Sequence, residues 1–318
     1  CCAAHHVGAR ERQGAQEFGD VTERSTLPLS HTLLAVAVMA VWGSNFVVMK
    51  EGLAHLPPLF FAALRFTLVI FPVVFFLPRP NVAWRNLAAY GLFIGLGQFG
   101  LIFTALNGHI SPALASLVAQ TQVFFTIVLA LVLDGERVKP LQWGALLLAA
   151  SGLVIIALHT DAQTSMMGLL LVLGAAFCWS LGNVASRKAG RINMLAYVAW
   201  SSFFAAPSLF ALSWLVEGPQ AMMQGLQEAT IGTWGAVIWQ AVGNSLFGYV
   251  AWGWLLARHP AALVTPMALL VPIFGFAASS FWLGESLPMW KLAAAGLVMA
   301  GLSLNLLAPR FQRVPEEK

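Results

Sequence analysis

Ten near-continuous apolar stretches, each about twenty residues long, leave this chain few ways to fold. They run 31–50, 58–77, 85–106, 111–133, 140–158, 166–186, 194–215, 232–256, 260–283 and 288–307. About twenty apolar residues in a helix cross the roughly 30 Å hydrocarbon core of a bilayer. Strands of a membrane barrel instead alternate apolar and polar residues over about ten positions. Composition points the same way: 59% of the residues are hydrophobic and 9% are charged, where a soluble domain carries about 25%. With no water to satisfy the backbone, the chain must make its hydrogen bonds within helices. The expected fold is an all-α integral membrane protein with ten transmembrane helices. Pro57-Pro58, Pro78-Arg79-Pro80, Ser111-Pro112, Pro140, Glu217-Gly218-Pro219, His259-Pro260 and Pro288 punctuate the runs, as turn chemistry should.

Charge placement then orients the runs. Fourteen of the seventeen basic residues fall in segments on the side that holds the N-terminus, Arg79, Arg137, Arg187, Lys188 and Arg258 among them. The opposite side holds Lys50 and Lys291, and Arg65 lies inside a run. The positive-inside rule makes both termini cytoplasmic. This bias accounts for the net charge of +4 and, with no basic face to neutralise phosphates, no nucleic-acid partner is expected. Residues 1–30 read as a polar, disordered extension and 309–318 as a cytoplasmic tail. Of the three cysteines, Cys1 and Cys2 lie in the extension and Cys178 reads as a packed small hydrophobe.

The two halves repeat. The first run carries Trp42-Gly43-Ser44-Asn45 with Lys50 five residues beyond the asparagine. The sixth carries Trp179-Ser180-Leu181-Gly182-Asn183 with Lys188 at the same spacing. The fourth and ninth runs open at Pro112 and Pro260 and close at Gly135-Glu136 and Gly284-Glu285, and Gly152 matches Gly301. The units are 31–158 and 166–308, five helices each. Five is odd, so the second unit is expected upside down relative to the first. Inverted repeats with a site between them are a transporter architecture.

Polar side chains within hydrocarbon are costly unless they face a cavity or a partner. The candidates at mid-depth are Trp42, Asn45, Gln98, Gln120, Gln122, Trp179, Asn183, Asn244, Tyr249 and Trp252. Trp42, Asn45 and Met49 share one helical face, and Gln240, Asn244 and Phe247 share another. The amides either bind a small zwitterion, with the aromatic rings shaping its pocket, or hydrogen-bond between helices. Lys50 and Arg65 are candidate charge contacts. Arg65 is open to three readings: a substrate carboxylate, the outer headgroups reached by snorkelling, or an ion pair with Glu51. Glu136 and Glu285 read as helix-end or loop-closing residues, and Trp84, Trp143, Trp234 and Trp290 as interfacial anchors. None of the thirteen acidic residues lies mid-run, so no intramembrane carboxylate is expected to relay protons. The sequence has no GxxxxGK[ST] loop, HExxH cluster or GxSxG elbow, so no cofactor, metal or enzymatic activity is expected.

Several of these segments resemble EamA-type transporters of the drug/metabolite transporter superfamily. They are 42–50 (WGSNFVVMK), Pro57-Pro58 with Leu64-Arg65-Phe66, and Ala115-Ser116-Leu117-Val118 with Gln120, Gln122, Phe124-Phe125-Thr126 and Gly135-Glu136-Arg137. Gly248-Tyr249, Trp252, Pro266 and Leu269-Leu270-Val271-Pro272 extend the match across residues 31–308. The resemblance implies a bacterial inner-membrane secondary transporter that exports a small amino-acid-like metabolite such as cysteine or O-acetylserine. The partners it implies are the bilayer, the small-molecule substrate and further copies of the chain in a homo-oligomer. At the second closing loop Glu285-Ser286 replaces the expected Glu-Arg, which leaves that loop without its arginine.

Overall fold

A computed structural model describes residues 27–134, 140–159, 164–190 and 192–307. The expected N-terminal extension up to residue 26, the Gly135-Glu136-Arg137 loop and the tail from 308 lie outside the described residues. The described residues are helical, with no strand. Each apolar run falls on helix. The first four elements are α1 (Leu29–Gly52), α2 (Pro58–Val74), α3 (Trp84–Leu106) and α4 (Pro112–Leu133). Next come α5 (Pro140–Leu158), α6 (Met166–Ala189) and α7 (Met194–Val216). A short amphipathic helix absent from the sequence reading, α8 (Pro219–Glu228), follows. The chain then forms α9, built from Ile231–Trp239, Gln240–Phe247 and Gly248–Arg258 in succession. It ends with α10 (Thr265–Leu283) and α11 (Met289–Leu307). Eight of the described helices are long and apolar enough to cross a membrane, and α2 is a shorter apolar helix.

The packing follows a reciprocal plan. Helix α1 lies against α10 and α9, while α6 lies against α4 and α3. Two further pairs join equivalent helices, α2 with α7 and α5 with α11. At the α5–α11 contact, Gly152 faces Val298 and the Ala294 carbonyl, and Gly301 faces the Ala145 carbonyl and Ala149. A methyl at either glycine would collide with the facing backbone, so the two axes approach through matched small residues.

Two helices depart from α geometry at matching places. Gly91–Phe99 within α3 and Gln240–Phe247 within α9 are π-helical. Such stretches are rare and concentrate at functional sites, because they displace carbonyls from the regular ladder. In α9 the Asn244 carbonyl accepts a hydrogen bond from the Trp42 indole at 3.2 Å. Gly248 lies against that ring, where any side chain would overlap it.

One end of the bundle, reached by the C-terminal end of α1, is closed by buried side chains. Leu56, Phe61, Phe103, Leu106 and Leu114 are all at most 2% exposed. Two carboxylates clamp this end. Glu217, after α7, accepts the backbone N–H of Leu59 at 2.7 Å and of Phe60 at 3.1 Å, and the Ser213 hydroxyl at 2.6 Å. Glu285, after α10, accepts the Ala113 N–H at 3.4 Å and the Ser279 hydroxyl, and pairs with Lys291 at 2.9 Å. Each carboxylate thus meets the unsatisfied N–H groups at the start of a proline-opened helix, where negative charge is favoured. The second loop does close with an ion pair, supplied by Lys291 in place of the expected arginine. Trp84, Trp143 and Trp234 are exposed near helix ends, and Trp290 stacks on His159 with ring centres 5.1 Å apart.

Candidate functional site

Between the halves lies a cavity of about 550 Å³. Its walls include all ten mid-depth candidates: Trp42, Asn45, Gln98, Gln120, Gln122, Trp179, Asn183, Asn244, Tyr249 and Trp252. The helical periods that put Trp42 and Asn45 on one face, and Trp179 and Asn183 on another, bring those faces round one space. The lining runs from Met49 and Ile102 down to Ser186, Met194, Leu256 and Leu306, near the helix ends opposite the sealed end. Among the described residues, no Asp, Glu, Lys, Arg or His lines the cavity.

The asparagines are held by partners from the opposite half. Asn45 donates to the Gln240 amide oxygen at 3.3 Å and accepts from its nitrogen at 2.8 Å. Asn183 donates to the Gln122 amide oxygen at 2.9 Å. Of the two possibilities left open by the sequence, interhelical bonding is therefore realised, and the same side chains line the cavity. An amide has two N–H groups and two lone pairs, so Asn45 keeps polar capacity for the cavity after its exchange with Gln240. Gln240 is itself fully buried behind Asn45, and it shares the helical face of Asn244 that the sequence reading marked. Aromatic rings form a second wall. Trp42 lies 6.1 Å from Tyr249 and 5.6 Å from Trp252, centroid to centroid.

The two charged candidates stand outside this lining. The Lys50 ammonium donates to the Leu106 carbonyl at 3.1 Å, at the C-terminal end of α3, where a cation offsets the helix dipole. Arg65 neither snorkels nor pairs with Glu51. It is 1% exposed and donates to the Ser245 hydroxyl at 2.9 Å. The helix-length count placed Arg65 near an interface, but α2 is enclosed by α7, α3 and α9 on the faces that matter. Tyr90 and Phe99 line the cavity too and were not marked in the sequence. Their signal, an aromatic bordering a glycine-rich stretch, is too common in membrane helices to single out.

Comparison with known proteins gives the class. The EamA-like transporter family model matches residues 29–158 and again 166–307. The chain belongs to the EamA-like transporter family, within the drug/metabolite transporter superfamily, and is a multi-pass membrane protein. It is 40% identical over 286 residues to a "Probable amino-acid metabolite efflux pump" of Salmonella typhimurium, covering 88% of this chain and 96% of that one. It is 38% identical over 287 residues to a protein of the same description in Escherichia coli K12, covering 88% and 96%. The uncharacterized inner membrane transporter YedA of Escherichia coli K12 is 24% identical over 301 residues, covering 89% and 92%. A solved structure described only as the crystal structure of a protein shares the fold. It has a TM-score of 0.57 and 21% identity, and the match covers 88% of this chain and 99% of that one.

Proposed function

We propose that this protein is an inner-membrane carrier that exports small amino-acid-like metabolites, cysteine and O-acetylserine foremost, by alternating access. The observation that carries this reading is the cavity lined from both halves by neutral amides and aromatic rings. About 550 Å³ is ample for a small amino acid and lies in the usual range for small-molecule sites. Amide groups recognise ammonium and carboxylate by hydrogen bonds that break readily on release. The efflux descriptions of the Salmonella typhimurium and Escherichia coli relatives support the direction of transport.

Ten helices cross the membrane in this reading: α1–α7, α9, α10 and α11. Residues 31–158 and 166–308 form two repeats related by a half-turn about an axis in the membrane plane. The reciprocal packing of α1 with α10 and of α6 with α4 supports that symmetry, as do the paired π stretches. Both termini are cytoplasmic, so the cavity extends towards the cytoplasm and the clamped end faces outward. With no carboxylate or histidine among the described lining residues, flux follows the substrate's own gradient.

Counterflow in proteoliposomes tests the proposal. Vesicles preloaded with unlabelled O-acetylserine should accumulate external labelled O-acetylserine transiently and saturably. An imposed pH gradient without preloading should drive none. Uphill accumulation driven by the pH gradient alone would overturn the uncoupled mechanism. Failure of cysteine, O-acetylserine and other small amino acids alike to exchange would overturn the substrate class.

A further inference from the structure

Arg65 is a buried cation without a counter-ion. No carboxylate pairs with it among the described residues, and its Nε and Nη1 have no hydrogen-bond partner. What surrounds it is the Ser245 hydroxyl and two aromatic faces, Phe99 with its centroid 3.6 Å from the guanidinium carbon and Phe66 at 4.8 Å. Contacts of this kind are worth roughly 2 kcal/mol when desolvated, less than an unpaired buried charge costs. A chain that keeps such a group within its membrane-spanning part does so for function in most cases.

Arg65 lines a void of about 10 Å³, room for one water. The Ser201 hydroxyl lines the same void and also lacks a partner. Only a thin wall separates this void from the large cavity: Tyr90, Phe99 and Tyr249 line both. All three wall residues sit on or beside the π stretches. Tyr90 immediately precedes Gly91–Phe99, Phe99 ends it, and Tyr249 lies two residues past Gln240–Phe247. A π stretch holds an extra residue per turn, so relaxing it to α geometry rotates whatever is attached at its end. Arg65 itself bridges the two stretches, through Phe99 on one and Ser245 on the other.

We infer that Arg65 is the carboxylate-binding element of the carrier, reached when Tyr90, Phe99 and Tyr249 turn aside during the transport cycle. The ligand class is a monocarboxylate: one guanidinium balances one negative charge, and the described lining residues offer no second cation for a phosphate dianion. The inference rests on the carrier reading for its substrate, and it adds where the negative end of that substrate is held. Once the wall turns aside the carboxylate reaches the guanidinium where the void lies, and Ser201 adds a second donor.

The test compares O-acetyl-L-serine with O-acetyl-L-serinamide, which differs only in lacking the carboxylate. Both are used as competitors of labelled O-acetyl-L-serine counterflow, and as ligands in thermal-shift measurements on the purified protein. A hydrogen bond between charged groups sets the expected preference of wild type for the acid at about tenfold or more. In Arg65→Gln the preference should collapse to within about twofold. In Arg65→Lys, which retains the charge but not the planar fork, it should fall several-fold while the protein accumulates normally. Wild type that takes acid and amide equally overturns the inference and leaves the carrier reading standing. So does Arg65→Lys that accumulates and keeps the full preference, whether or not Arg65→Gln folds. Protein that is stabilised by the acid and not the amide, yet moves neither, keeps Arg65 in its role and overturns the carrier reading.

Discussion

The two ends of this bundle are built on opposite principles. One end is a dry plug of Leu56, Phe61, Phe103 and Leu114, held by Glu217 and Glu285 on the N-termini of α2 and α4. The other end leads into a cavity whose described polar groups are neutral amides, hydroxyls and indoles. Charge clamps the closed end, and neutral hydrogen-bonding groups line the cavity, with the buried Arg65 set behind its wall. The difference is physically sensible. An ion pair shielded from water is strong and slow to break, whereas a site that must release its ligand each cycle needs contacts of modest depth.

The largest effect that separates the two ends should come from Glu285→Ala. It strands the Lys291 ammonium, which is 1% exposed, beside Ser279. Removing one partner of a buried pair costs about 3–5 kcal/mol, and a steep loss of thermal stability in detergent is the expected reading. The volume-matched double change Glu285→Leu with Lys291→Met should recover most of that loss. Recovery separates the cost of a stranded charge from the cost of lost helix capping.

A smaller effect is expected from Glu217→Ala, which uncaps Leu59 and Phe60. Loss of an N-terminal cap costs about 1–2 kcal/mol, and the unfolding temperature should fall accordingly while counterflow per folded molecule persists. A loss of transport without loss of stability would move Glu217 from the clamp to the transport machinery.

The smallest stability effects are expected at the cavity. Asn45→Ala and Asn183→Ala each remove an interhelical hydrogen bond worth about 0.6 kcal/mol in a membrane. Counterflow should nevertheless fall severalfold in both, because each asparagine links the halves and lines the cavity. If both variants lose stability more than transport, these residues are structural and the contrast between the ends fails.

What the sequence revealed and what it hid follow from the same physics. The helices were legible because a lipid solvent demands unbroken apolar runs. The cavity residues were legible because Trp42-Gly43-Ser44-Asn45 and its counterpart at 179–183 repeat polar groups where apolar ones are expected. The π stretches were not, since they arise from packing between helices and leave no residue pattern of their own. The Glu285–Lys291 pair was hidden because the partners stand six positions apart across the turn into α11, a spacing that matches no single helical face. The choice among the three readings of Arg65 stayed open for a related reason: depth along a helix can be counted, but enclosure by α3, α7 and α9 cannot. Helix α8 escaped because an amphipathic decamer between two apolar runs reads as loop.

The central claim is that the two ends open in turn around one cavity. It is tested most directly by accessibility of single cysteines, placed at Ser186 and at Leu114 after replacement of Cys1, Cys2 and Cys178. Ser186 lines the cavity near its open end and Leu114 is fully buried in the plug. With a membrane-impermeant thiol reagent applied to each face, Ser186→Cys should react without substrate and Leu114→Cys should not. Adding O-acetylserine should lower the first rate and raise the second, from opposite sides of the membrane. Simultaneous reaction of both positions, or rates indifferent to substrate, would contradict alternating access.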